Sequence, residues 1–393
     1  MATTTPNFGW SVPTSSDLVK NGATAIETLG DSIDASLVDL KGGTTGQVLA
    51  KATGTDMDFT WTTPSGGSSN TAGKNGVLNS GFNVWQRGTS IAGSTTAFSA
   101  DRWQSYRAVA GSTYSRQATG DTTNLPFIQY CIRMQRDLAN TATNGIFLWQ
   151  NFETVNSVPF AGKTVTFSFY ARKGANYSAT SDALAYQVYT GTGTDQNQLS
   201  GYTGQATPIS ATATLTTTWQ RFSTSATIAA TATEINTQFY YNPTGTALAA
   251  DYVEITGVQL EIASSASAYS PATPTYQAEL AACQRYYYRT TSDSAYSVHS
   301  TFGAATSTTV AYVTMQMPVT LRIEATSVDY STLALTDYVT NSAISTLTID
   351  SAGSSRNAMT VSTGGTSGLT QYRPYWIVSN GSTNGYLGFS AEL

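Results

Sequence analysis

Histidine is almost missing from this chain. His299 is the only one in 393 residues, so any Ser/His/Asp or Cys/His machinery runs through that single side chain, and its polar setting, SAYSVHSTFG, reads as an exposed loop. Cysteine is as scarce. Cys131 and Cys283 do not make a disulfide framework, and their apolar contexts keep them reduced. Together with His299 they fall short of the four ligands of a structural zinc site, and no phosphate-cradling glycine loop is present, so neither metal nor cofactor is expected. Charged residues are 11% of the sequence, where about a quarter is usual. With a net charge of −5 and no concentration of Lys and Arg, nucleic acid is excluded as a ligand. No stretch approaches the roughly 18 apolar residues that would insert in a membrane. The opening MATTTPNFGW lacks the basic start and apolar run of a secretory leader, which points to folding in the cytoplasm where it is made.

Short strands fill most of the chain. Patterns at 127–134, 145–153, 164–173, 183–190, 218–228, 234–242 and 252–262 are separated by Gly, Asn and Thr turns, which predicts a β-sandwich. In 164–173 the alternation is plain: Val165, Phe167, Phe169 and Ala171 point one way and Thr166, Ser168, Tyr170 and Arg172 the other. In 252–262 the apolar parity changes at Gly257, as at a bulge. Further patterns at 308–321, 327–335, 343–350, 358–363 and 372–379 and the terminal GYLGFSAEL predict a second, smaller sandwich of domain size. No repeat of 20–30 residues is present, which counts against a β-helical spike. Between the sandwiches Thr275 caps a helix carrying Tyr276, Leu280, Cys283 and Tyr287 on one face, the face expected to pack between the domains.

The N-terminal 76 residues differ in texture. Residues 1–15 read as an extended arm with isolated Phe8 and Trp10. From 16 to 40 the pattern turns helical, with Val19, Ile26, Ile33 and Leu40 seven apart and Leu29 between them; this heptad is shorter than the run that establishes a coiled coil. Residues 44–64 read as two short strands around Gly54, Val48 and Leu49 facing Phe59 and Trp61. A unit this small buries little surface alone, whereas three copies together bury more. A flexible Gly/Ser linker, 64–76, follows.

Several segments resemble one family. Gln259–Glu261, the AYSP of 268–271, ELAACQRYYY of 279–288, the NSGFNVWQRGTS of 79–90, the DRW of 101–103 and the terminal 385–393 are similar to a recurrent signature of bacteriophage tail-fibre and receptor-binding proteins. GQVL and FTW, at 46–49 and 59–61, resemble the shoulder of such fibres. The resemblance implies an all-β, fibrous homotrimer with an arm and helix for virion attachment and trimerisation (1–43), a small β hinge and linker (44–76), a jelly-roll sandwich resembling carbohydrate-binding modules (77–273), a connecting helix (274–290) and a C-terminal sandwich tip (291–393). It implies Phe8 and Trp10 in virion attachment and Ile26, Leu29, Ile33 and Leu40 in trimerisation. It further implies other phage tail or capsid proteins and a host polysaccharide or lipopolysaccharide as partners, and the virion as the location.

Sugar binding asks for a flat aromatic face and amides or guanidinium groups to meet hydroxyls. With 23 tyrosines and 7 tryptophans the materials abound. Trp85, Trp103 and Trp149 read as core. Tyr372, Arg373, Tyr375 and Trp376 around Pro374, with Tyr296 and His299 in the opening loop of the last domain, are the candidate glycan contacts. The competing readings are a head fibre or purely structural tail part, and a polysaccharide-cutting spike. The last draws its two acids from Asp101, Glu153, Glu254 and Glu261, which instead read as ion-paired supports; no catalytic residue is assigned and the chain is read as a non-enzyme.

Overall fold

A computed structural model describes residues 3–16, 18–62, 74–93, 96–125 and 127–393. The chain divides into two compact units, Met1–Ser69 and Asn70–Leu393. In the first, the expected extended arm doubles back: β1 (Thr3–Thr4) pairs with β2 (Ser11–Val12), Phe8 stacks on Trp10 with centroids 4.8 Å apart, and Trp10 Nε1 donates to Ser36 Oγ at 3.2 Å. Ser36 lies on α1 (Gly22–Leu37), which buries none of its residues. Ile26 and Leu40 are exposed and Leu29 and Ile33 half-buried, so the apolar stripe is only partly covered by the described residues. The strands β3 (Val48–Lys51) and β4 (Phe59–Thr62) pair with Leu49 opposite Trp61 and Val48 opposite Thr62.

The second unit opens with a jelly-roll sandwich of two six-stranded sheets. Its strands in chain order are β5 (Ser90–Gly93), β6 (Ala97–Phe98), β7 (Gln104–Tyr106), β8 (Ser112–Ala118), β9 (Tyr130–Arg136), β10 (Ile146–Asn151), β11 (Thr164–Lys173), β12 (Ala183–Gly191), β13 (Ala206–Thr214), β14 (Gln220–Thr227), β15 (Glu234–Tyr241) and β16 (Tyr252–Ile262); a short α2 (Thr154–Ser157) follows β10. One sheet runs β13-β12-β15-β10-β7-β6 and the other β14-β11-β16-β9-β8-β5. The inward set of β11, Val165, Phe167, Phe169 and Ala171, meets Leu148, Phe239, Ile255 and Leu260 in one core, together with Trp85 and Trp103. The parity change at Gly257 is a bulge. Ser168 pairs with Gln259 but Tyr170 with Thr256, and Gly257 takes φ +56°, where a Cβ would lie 2.8 Å from Ile128. Only glycine fits both constraints.

The helix α3 (Tyr276–Gln284) is capped by Thr275, whose side chain accepts from Ala278 N–H at 3.2 Å. Its packed face is the expected one only in part. Cys283 and Tyr287 are buried and Leu280 half-buried, but Glu279 and Tyr286 are buried as well, while Tyr276 is 59% exposed. The tip sandwich then forms from β17 (Tyr287–Thr291), β18 (Gly303–Ala305), β19 (Ala311–Gln316), β20 (Ser327–Ser331), β21 (Leu333–Thr336), β22 (Asn341–Ala343), β23 (Thr346–Ile349), β24 (Ala358–Gly364), β25 (Pro374–Ser379) and β26 (Tyr386–Ser390). A three-stranded sheet, β17-β26-β20, and a seven-stranded one, β22-β21-β25-β18-β19-β24-β23, share a core of Val313, Met315, Val361, Ile377, Leu387 and Phe389. The final strand is central in its sheet, so the last residues of the chain are structural. Among the described residues no helix is long and apolar enough to cross a membrane.

Candidate functional site

The segments 79–90, 101–103, 279–288 and 385–393 lie far apart in sequence and meet at the joint between the two sandwiches. Asn79 donates to Val84 O and Asp101 O at 2.8 and 3.0 Å, and Trp103 Nε1 donates to Asn79 O at 3.1 Å. Gln86 donates to both Asp101 carboxylate oxygens and, at 2.6 Å, to Tyr287 O across the joint. Arg87 and Arg102 both reach Glu392 while stacking 3.4 and 3.5 Å over the rings of Tyr287 and Tyr286. The tyrosine run thus packs between domains as cation–π partner. Gln259 and Glu261 act likewise on the linker: Gln259 accepts from Ser270 N–H at 2.8 Å and Glu261 from Ser267 N–H at 2.8 Å.

The four acids of the hydrolase reading are engaged by the same framework. Glu153 takes both guanidinium nitrogens of Arg285 at 2.9 Å; burial pushes its pKa up, but the arginine outweighs burial and leaves it below the ordinary value. Glu254 is fully buried between Arg133 and Arg172. Burial likewise raises Glu261, and its bonds from Ser267 and Lys74 more than offset that. Asp101 is raised by burial, opposed by Arg87. A carboxylate saturated by structural donors is a poor proton carrier for a glycosidic bond.

In the C-terminal sandwich, the predicted contacts separate. Tyr375 is 1% exposed and belongs to the core, because β25 alternates and Tyr375 shares its face with Ile377. His299 is also buried, at 3% exposure, contrary to its polar surroundings in sequence. Its loop runs antiparallel to β25, with Val298 opposite Val378, which turns the ring inward onto Thr290 Oγ1 (2.8 Å) and Ser379 Oγ (2.9 Å). Neither residue is available to a ligand. Tyr372 stands exposed at φ +66°, away from the others. Trp376 does face outward, with Tyr338 at 5.1 Å and Phe302 at 6.4 Å between centroids. Arg373 binds Asp337 at 3.0 Å and so braces the β21–β22 turn that presents Tyr338. Tyr296 joins Tyr338, Val339 and Asn341 around a cavity of about 210 Å³. Phe302, Tyr338 and Asn341 escape a sequence reading because they lie on three separate loops and strands.

Burial lowers the pKa of His299 from its ordinary 6.5. The folded protein therefore holds it neutral while the unfolded chain protonates first. Stability is complete above about pH 6.5 and falls as pH drops toward the depressed value, by at most about 1.4 kcal/mol per pH unit. Urea unfolding at pH 7, 6 and 5 should show this slope, and His299→Gln should flatten it; parallel slopes in both proteins would remove His299 as the cause.

The larger ligand-like surface is one that sequence reading passes over. On the sheet β13-β12-β15-β10-β7-β6, the side turned away from the core carries aligned rows. Tyr106, Phe147, Tyr240 and Ala185 are successive cross-strand partners, and so are Gln104, Trp149, Gln238 and Gln187. Phe147 stacks on Tyr240 at 5.2 Å and 19° and lies 5.9 Å from Tyr106. The amide row is fixed by its own bonds: Trp149 Nε1 to Gln104 Oε1 at 2.6 Å, Gln238 Nε2 to Gln187 Oε1 at 3.1 Å and Tyr189 OH to the same oxygen at 2.8 Å. Trp149 is buried, yet on this outer side rather than in the core between the sheets. The loop at 192–205 covers that end, Tyr202 OH donating to Asn151 Oδ1 at 3.0 Å. The row of Tyr106, Phe147 and Tyr240 stays half-exposed, and a groove of about 510 Å³ continues past Tyr240, lined by Thr180, Ala185, Thr212 and Asn242.

No family model matches the chain, and no curated protein matches it. Solved structures similar to it include the enzymatically active domain of tailspike protein 4 of bacteriophage CBA120 (10% identity, TM-score 0.29, 48% of this chain and 22% of that one). Others are TmCBM61 in complex with β-1,4-galactotriose (12%, 0.29, 48% and 99%) and the CBM22-1 xylan-binding domain of Paenibacillus barcinonensis Xyn10C (13%, 0.28, 50% and 98%). The chain thus spans about a fifth of the tailspike domain. Similarity of this degree assigns neither family nor ligand.

Proposed function

We propose that this chain is a non-enzymatic phage fibre subunit that binds a host cell-surface glycan, a polysaccharide or the sugar part of lipopolysaccharide. The observation that carries the reading is the outer row of Tyr106, Phe147 and Tyr240 beside fixed amides and an open groove. Half-exposed rings aligned across strands offer the apolar face of a pyranose a flat platform, and the half-buried Gln187 beside them meets its hydroxyls. Trp376, Tyr338 and Phe302 form a second aromatic cluster, with Tyr338 and Phe302 tilted 59° and 62° against Trp376 rather than aligned with it. The partly covered stripe of α1, Ile26, Leu29 and Ile33, with Leu40 just beyond its end, supports assembly as a homotrimer, with Phe8 and Trp10 serving attachment to the particle. Three copies raise the avidity of weak sugar sites by about 10² to 10⁴ without new contacts.

The test is adsorption of the labelled full chain to bacteria and to their isolated surface polysaccharides, with mass measured by light scattering. Phe147→Ala and Tyr240→Ala should each weaken binding about tenfold or more, as anchors at the centre of an interface do, with the assembly mass unchanged. Variants that bind as the parent does would refute the outer-face assignment, and a folded parent that binds no cell or glycan would refute the adhesin reading itself.

A further inference from the structure

A second cleft, of about 550 Å³, opens between the rim of the other jelly-roll sheet and the segment leading into α3, with Asn83, Arg116, Phe127, Gln129, Tyr130 and Tyr276 among its walls. Its composition is unusual for this chain. Arg87, Arg102, Arg133 and Arg285 are each spent on a carboxylate. Arg116 meets none among the described residues, and its guanidinium instead lies 4.6 Å from the centroid of Tyr130. The stacking leaves the planar fork of N–H donors directed by the ring rather than consumed by a partner. The side-chain amides of Asn83 and Gln129 have no hydrogen-bond partner among the described residues. Phe127 is 93% exposed and Tyr276 59% exposed, so two rings stand open to solvent at the cleft among the described residues. The one acid in the wall, Glu279, already accepts from Asn79 N–H and the Thr273 hydroxyl.

We propose that this cleft binds an acidic saccharide, a uronic or other carboxylated sugar residue. Arg116 takes the carboxylate in a two-pronged contact, Phe127 or Tyr276 covers the apolar side of the ring, and Asn83 and Gln129 meet hydroxyls. One cation beside an engaged carboxylate suits a monoanion and disfavours a phosphate dianion or a nucleic-acid backbone, which needs several. The site is remote in kind from the outer face of the opposite sheet, which offers amides and no cation, and it stands whether or not that face binds glycan.

The experiment is calorimetric titration of the full chain with trigalacturonate and with its carboxyl-reduced, neutral counterpart, for the parent, Arg116→Gln, Phe127→Ala and Phe147→Ala. Arg116 and Phe127 are outside the core, and circular dichroism confirms that each variant is folded. The expected result is that the parent binds the acidic trimer at least tenfold more tightly than the neutral one. Arg116→Gln should erase that preference, Phe127→Ala should weaken both ligands, and Phe147→Ala should leave the acid preference intact. Equal affinity of the parent for the two trimers, no binding of either, or an acid preference that survives Arg116→Gln would overturn the proposal. A preference lost only in Phe147→Ala would do so too, by assigning the binding to the outer face.

Discussion

Glu392→Ala will destabilise the second unit by about 3–5 kcal/mol, the range for removing one member of a buried ion pair. Glu392 accepts from Arg102, which is 3% exposed, and from Arg87 at 3.4 Å. Glu392 is the one carboxylate within ion-pair distance of either guanidinium among the described residues; Asp101 acts on Arg87 and Glu153 on Arg102 only from farther off. Arg102 also donates to Asn151 O at 2.6 Å, and the main chain around Glu392 receives Arg322 at Ala391 O and Glu392 O, both 2.9 Å. Alanine thus leaves two cations at the joint without their counter-ion, one of them fully desolvated. Glu392→Gln keeps an acceptor and should cost less. Urea titration followed by tryptophan fluorescence gives the free energies, and limited proteolysis at 263–290 tests whether the joint opens before the sandwiches do. A loss under about 1 kcal/mol for Glu392→Ala would mean that the joint rests on its stacked tyrosines and not on charge.

The strands that could be read in advance are those with strict alternation of large side chains. β11 and β16 begin and end where their patterns do, and even the bulge at Gly257 shows in the parity of Val253, Ile255, Val258 and Leu260. β8 and β13 were missed because STYSRQA and ATPISATAT carry small or hydroxylated residues. Their burial comes from position beside larger neighbours, not from their own hydrophobicity. The helix α3 misleads for the opposite reason. Its buried face takes in Glu279 beside Cys283, and the burial of Glu279 is compensated by Thr273, six residues before it, and by Asn79, 200 residues before it; a hydrophobic pattern cannot carry that information. His299 fails in the same way, since only the pairing of its loop with β25 shows that it faces inward. The outer aromatic row is visible in hindsight in the alternation of Phe147 with Leu148 and Tyr240 with Phe239. Which of the two faces is open depends on the partner sheet, and no local pattern states that.

The same dependence on distant partners governs the second large expected effect, at the far end of the jelly roll. Arg136 and Asp251 are both fully buried and 2.9 Å apart. Arg136 also donates to Ser178 Oγ at 3.1 Å and to the carbonyls of Asn140, Ala142, Thr244 and Gly245 at 2.7, 3.1, 3.2 and 2.9 Å. Asp251 accepts from Ser178 N–H at 3.0 Å. One guanidinium thus fastens three loops, all of which, through Thr143, Ala179, Thr180, Asn242 and Thr244, wall the groove beyond Tyr240. Asp251→Ala strands this cation among carbonyls with no counter-ion and beside a second arginine, Arg107, whose pKa is lowered by burial and then by the charge of Arg136. The expected loss is again about 3–5 kcal/mol. Arg136→Met together with Asp251→Leu should cost less than Asp251→Ala alone, because removing both charges removes the desolvation penalty along with the attraction. The groove supplies an independent readout. The double variant keeps the core packed but loses the donors that hold the loops, so glycan binding should weaken while the fold persists. If the double variant binds glycan as the parent does, the groove is not part of the binding surface, and recognition on this sheet is confined to the row of Tyr106, Phe147 and Tyr240.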